Sequence, residues 1–180
     1  MSHVRNRLIL PLAVLAAVIA AFASASAVPL DPSGDLDTAN FNSPQGKNQR
    51  NFALVQQFGE AADAAWQSNG QLVVAARQAE GGSIFHFAAL RLNANGTQDM
   101  SFGDQGNTRI AIGANDFVNA MTIDSQDRPI IVGFTDNDWA IVRLTPNGQI
   151  DTTFGGGDGI VTIDFGGTVS NLDRANDVAV

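Results

Sequence analysis

Two arginines stand eight residues ahead of two aspartates, Arg91 before Asp99 and Arg143 before Asp151. Each aspartate opens the same short mark, Asp-x-Ser/Thr-Phe-Gly, at 99–103 and 151–155. Arginine and carboxylate at matched spacing can close on each other as a charge-assisted pair, or the arginines can line a channel for an acidic ligand. In the expected strand 87–92 the alternation puts Phe87, Ala89 and Arg91 on one face, and 52 residues later Trp139, Ile141 and Arg143 share the equivalent face. An arginine among apolar and aromatic neighbours needs a partner, and recurrence in each copy is the habit of a scaffold. The expectation is a repeated Arg–carboxylate bridge that closes a hairpin corner, its guanidinium stacked on an aromatic ring. Within the mark, Asp99 and Asp151 suit Asx-turns, accepting a backbone N–H two residues on, and Ser101 and Thr153 can do the same more weakly. Phe102 and Phe154 would anchor the corner in the core. Gly103 and Gly155 would take backbone angles closed to larger residues.

Other chemistry is sparse. The Gly155–Gly159 turn contains Asp158 and lies close in sequence to Asp151, so these two aspartates are candidate calcium ligands. A calcium-binding repeat would need a second turn stacked beside it, and the equivalent 103–106 is shorter; an acidic solvated turn is the competing reading, and Asp136-Asn137-Asp138 invites the same comparison. His86, between Phe85 and Phe87, is the one histidine beyond residue 27 and reads as a packed residue. There is no Gly-x-Ser-x-Gly elbow, no His-Glu-x-x-His and no phosphate loop. The absence of cysteine excludes thiol nucleophiles. Trp66 and Trp139 could stack on a carbohydrate, but Trp139 occupies the repeat position of Phe87 and reads as a core anchor. No catalytic residue emerges, and no cofactor beyond calcium.

The elements that hold these residues are short strands. Phe87 and Trp139, Gly96 and Gly148, and Phe102 and Phe154 are each 52 residues apart, which is the signature of a repeat. Strands are expected at 52–58, 61–67, 72–76, 85–92, 108–112, 119–124, 130–134, 139–144, 159–165 and 176–180, punctuated by Asn69-Gly70, Pro146-Asn147-Gly148 and the marks. The segment 61–67 is alanine-rich and could form a helical turn by propensity, but its repeat position assigns a strand. Residues 36–41 look like a degenerate mark, and 42–49 an exposed loop. About four strands in roughly 50 residues is the spacing of a propeller blade. The fold expected is all-β, with propeller-type repeats of four-stranded antiparallel sheets, about two and a half units in an incomplete ring. An open β-sandwich is the alternative.

Residues 1–27 stand apart. Arg5 and Arg7 precede an apolar stretch at 8–22 and a run of small residues at 23–27, the pattern of a secretory signal peptide cut after Ala27 or Ala25. An uncleaved anchor is the alternative, although the stretch is short for a span of ~20 residues. Residues 28–35 form an irregular leader, and 36–180 the repeat domain. Cleavage would take the net charge from -8 to -10, which disfavours nucleic acid and anionic membranes. Without cysteine, an exported protein must rely on packing, hydrogen bonds or a bound ion.

The mark, the Arg143-Leu144 and Asn147-Gly148 before it and the segment 159–166 after it resemble the delta-60 repeat of bacterial exported proteins, itself similar to the blades of NHL and kelch propellers. A weaker copy covers 91–103, and the resemblance extends over 36–180. The insertion at 42–49 and Gln126-Asp127-Arg128-Pro129, in place of an Asp-Gly turn, depart from it. The resemblance implies an exported, repetitive β architecture and carries no catalytic residue. The function expected is a non-enzymatic binding or structural scaffold with a protein or carbohydrate partner and no membrane span after cleavage. The N-terminal part of a propeller lyase or hydrolase, or a surface adhesin component, are the alternatives. Two and a half units suggest a fragment of a longer protein or, if the chain is complete, self-association.

Overall fold

The computed structural model describes residues 59–81, 84–166 and 173–180. The expected strand at 52–58, the degenerate mark, the leader and residues 1–27 lie outside them. Among the described residues eight strands form two antiparallel sheets in plain chain order. The first holds β1 (Gly59–Trp66), β2 (Leu72–Ala79), β3 (Phe85–Leu92) and β4 (Asn107–Ile110). The second holds β5 (Asp116–Ile123), β6 (Pro129–Thr135), β7 (Asp138–Arg143) and β8 (Ile160–Ile163). Alanine-rich β1 is a strand because β2 offers it a full ladder, Trp66 opposite Leu72 and Glu60 opposite Arg77.

Turn chemistry sets the register. After β1, Gln67 and Gln71 close the hairpin through a 2.9 Å backbone bond, with Gly70 at φ 81°. In the second copy Asp124 donates to Arg128 at 3.1 Å, and Asp127 takes the glycine's place at φ 61°. That hairpin tolerates aspartate in the left-handed region because its carboxylate finds a partner, described below.

The constant 52-residue spacing needs correction. It holds from β3 to the end of the mark, but Trp66 and Leu72 correspond to Ile123 and Pro129, 57 residues on. The hairpin between β2 and β3 carries the five additional residues. Counting from the marks alone could not detect them, because both marks lie on the same side of the insertion.

The main core lies between the sheets. Val73, Phe87, Ala89 and Phe102 of the first sheet meet Met121, Ile131, Val142 and Leu144 of the second, and β1 packs on β5. Phe87 fits because Gly133 faces it: a Cβ there would approach the Phe87 ring and collide with the Phe117 carbonyl. Both inner strands carry a bulge at the same place, with Ala62 the extra residue in β1 and Asn119 in β5.

The strand expected at 176–180 is not formed. Residues 173–180 lie against the far face of the second sheet. There Ala175 donates to the Gly133 carbonyl at 3.3 Å, the Asn119 Nδ2 donates to the Ala175 carbonyl at 2.9 Å, and Val178 joins Ala120 and Val132 in a smaller cluster. Among the described residues no strand pairs with this segment, so it begins a third unit without a ladder. No described helix is long and apolar enough to cross a membrane.

Candidate functional site

Each arginine of the repeat meets the aspartate eight residues on. Arg91 donates from Nε to Asp99 Oδ2 at 2.9 Å, with Nη2 2.8 Å from the same oxygen, and Arg143 Nε donates to Asp151 Oδ2 at 2.7 Å. The aromatic beneath each guanidinium is the mark's own phenylalanine, 5.0 Å away at Phe102 and 4.6 Å at Phe154. Asp99 Oδ1 accepts the Ser101 N–H at 2.9 Å, and Asp151 Oδ1 accepts that of Thr153 at 3.0 Å. The Ser101 and Thr153 hydroxyls donate to the same oxygens at 2.7 and 2.6 Å instead of making turns of their own. Gly103 and Gly155 sit at φ 62° and 65°, where a Cβ would strike the carbonyl of Asn107 or Ile160.

The two corners differ in surroundings. Arg91 is 4% exposed, and its Nη1 crosses the seam to the Pro146 carbonyl of the second sheet at 2.8 Å while also reaching Gln67 Oε1 at 3.1 Å. Gln67 Nε2 donates to the carbonyls of Pro146 and Asp127 at 2.9 and 2.8 Å, and Ser68 bonds the Asp127 carboxylate through its N–H and hydroxyl. Gln71 adds a 2.8 Å bond to Asp99. In the second corner Arg128 replaces Gln71, paired with Asp124 at 2.7 Å and lying 3.6 Å from Asp151. Arg143 Nη1 has no partner among the described residues.

Burial raises the Asp99 pKa, but the bonds from Ser101, then Arg91 and Gln71, outweigh it and bring it from 3.8 to about 2. Thr153 and then Arg143 lower that of Asp151, and Ser68 that of Asp127. A depressed carboxylate stabilises the folded state above its unfolded pKa and ceases to do so as pH falls through the folded value. The urea midpoint should therefore decline as pH is taken from 3.8 toward about 2. A midpoint flat across that window would contradict an ionised, structural Asp99.

Residues 67–102 and 124–154 match the family model described as a domain of unknown function (DUF5122) beta-propeller. Each matched segment runs from the turn after an inner strand to the phenylalanine of the mark. The two sheets are propeller blades. The ring is unclosed among the described residues, and the first blade seats on the second through the Arg91 corner. No curated protein and no solved structure matches the chain.

The remaining candidates are dispersed over the blades. Asp151 gives its oxygens to Thr153, Arg143 and Arg128, while Asp158 Oδ1 accepts the Ile160 N–H at 3.0 Å. Among the described residues no three His, Asp or Glu side chains gather as metal ligands. His86, buried, has Nε2 2.8 Å from Glu80 Oε2 and Nδ1 3.2 Å from Asp116 Oδ2. Arg109, then His86, lowers the Glu80 pKa. Asp116 is fully buried and also takes the N–H groups of Ile112 and Gly113 and the Thr135 hydroxyl, so it gathers the linker between blades. Sequence reading missed it. Its repeat partner Asp173, which accepts the Phe165 N–H at 3.0 Å, is found only with the 57-residue spacing. Trp139 is half-buried in an edge contact with Phe165, and Trp66 is exposed.

At the opposite end of the seam from the Arg91 corner, a cavity of about 220 Å³ is lined by Glu60, Ala61, Ala62, Arg77, Phe117, Val118 and Asn119. None of these residues was singled out by the marks. The bulges of both inner strands open onto it through Ala62 and Asn119.

Proposed function

We propose that the chain is an exported, non-enzymatic binding scaffold of delta-60 type, whose invariant parts build the propeller and whose loops take a protein or carbohydrate partner. The observation that supports this most is the use of the repeated polar residues: Arg91, Asp99, Arg143 and Asp151 are paired within the corners. A scaffold whose charged repeats are internally satisfied leaves recognition to residues that vary between blades. The basic start, apolar stretch and small residues of the first 27 positions support export.

The full chain, expressed in a bacterial host, should leave the cytoplasm with Val28 as its first residue when the product is sequenced. Recovery of an intact Met1 in the cytoplasm would remove the export reading. The exported product, titrated with glycan and peptide pools and followed by NMR, should show saturable shifts and unaltered ligand spectra. New product resonances that disappear with heat-denatured protein would make it an enzyme instead.

A further inference from the structure

The cavity at the open end of the seam has a chemistry that the corners lack. Its charged wall is one ion pair: Arg77 Nε donates to Glu60 Oε2 at 2.8 Å, with Nη2 2.6 Å from the same oxygen. Of the two described blades only the first has this pair. Fifty-seven residues on, Phe117 stands at the Glu60 position and Phe134 at the Arg77 position. Both charged side chains remain accessible, 32% and 67% exposed. Parting them therefore strands no buried charge.

The guanidinium is held in place. Its carbon lies 4.9 Å from the ring centroids of both Phe85 and Phe117, and Phe117 is itself stacked on Phe134 at 4.7 Å. Ring contacts of this kind fix the guanidinium and leave its hydrogen-bonding edge for a planar acceptor. Nη1 has no partner among the described residues. Beside it, the bulges place Ala62 and Asn119 outside the regular ladder, and Asn119, whose Nδ2 is committed to the Ala175 carbonyl, keeps its Oδ1 as an acceptor.

We infer that this cavity binds a zwitterion of amino-acid size, its carboxylate on Arg77 and its ammonium on Glu60. A simple anion would meet Glu60 and a protein of net charge -8, and a simple cation would meet Arg77. A ligand bearing both charges side by side replaces one ion pair with two and leaves the net charge unchanged. Asn119 Oδ1 adds an acceptor for the ammonium, and Ala61, Phe117 and Val118 form an apolar wall for a side chain. At about 220 Å³ the cavity lies below the range of drug-sized pockets, which begins at about 300 Å³, and suits one small metabolite. This site goes beyond the macromolecular partner proposed above and does not depend on it.

Calorimetric titration of the purified chain at neutral pH with glycine, L-leucine and L-phenylalanine tests it. Saturable binding is expected for at least one. For that amino acid, the N-acetyl derivative and the methyl ester should each bind about tenfold or more weakly, since each removes one charge-assisted contact. Glu60→Gln, at an exposed position, should weaken binding of the free amino acid by a similar factor. Absence of saturable binding by all three overturns the inference. So does equal affinity for the blocked forms, which would reveal an apolar cleft only, or unchanged affinity in Glu60→Gln. The blocked ligands test it on the unaltered protein.

Discussion

Arg91→Ala should be among the most damaging substitutions in the chain, costing ~3–5 kcal/mol, because it breaks a buried ion pair, leaves the Asp99 carboxylate without its cation and removes the charged donor that ties the first blade to the Pro146 carbonyl. For a domain of this size that corresponds to a fall of about 10 °C in the melting temperature. Arg143→Ala removes the same residue of the same motif. Its arginine is more accessible and, among the described residues, has no bond to a neighbouring blade, so the loss should be about 1 kcal/mol. Thermal melts of the two variants beside the parent protein decide it. Equal losses would mean that the corner works only within a blade and that the contact across the seam contributes nothing.

Phe87→Ala should cost a further ~3–5 kcal/mol of its own by opening a cavity at the centre of the seam. Phe87 is fully buried, and its neighbour across the seam is Gly133, which has no side chain to swing into the space. Trp139→Ala, at the equivalent position of the second blade, should cost less despite the larger ring, because Trp139 is only half-buried. Urea titrations followed by far-ultraviolet circular dichroism would rank the two. A Trp139→Ala loss equal to or larger than that of Phe87→Ala would place the main core on the other face of the second blade.

The strands and corners were legible because they depend on local pattern. Period-two alternation named the faces of β3 and β7, and an arginine on an apolar face could be matched to the one nearby carboxylate that recurs with it. The structure pairs Arg91 with Asp99 and Arg143 with Asp151. What escaped was set by the approach of one blade to another. Gln67, Asp127 and Pro146 meet Arg91 only because the sheets stack, and nothing in their spacing announces it. The Glu60–Arg77 cavity escaped for a related reason. Its residues differ between copies, so a search for what repeats passes over them. Asp116 was hidden because the stretch from the second mark to its counterpart Asp173 is five residues longer than that from the first mark to Asp116, which displaced Asp173 from the spacing of the marks.

The position of the core also bears on how such a chain can arise. Neither sheet has an interior of its own: Val73 and Phe87 are buried by Ile131 and Val142, residues that belong to the next copy. The second blade in turn offers Val132, Ile141 and Trp139 on its far face, where Ala175 and Val178 have begun to cover them. A gene segment encoding one such unit would specify a piece of chain that cannot exclude water by itself. Tandem duplication supplies the missing neighbour in the same event that copies the unit, so lengthening the protein and stabilising it are one step of descent.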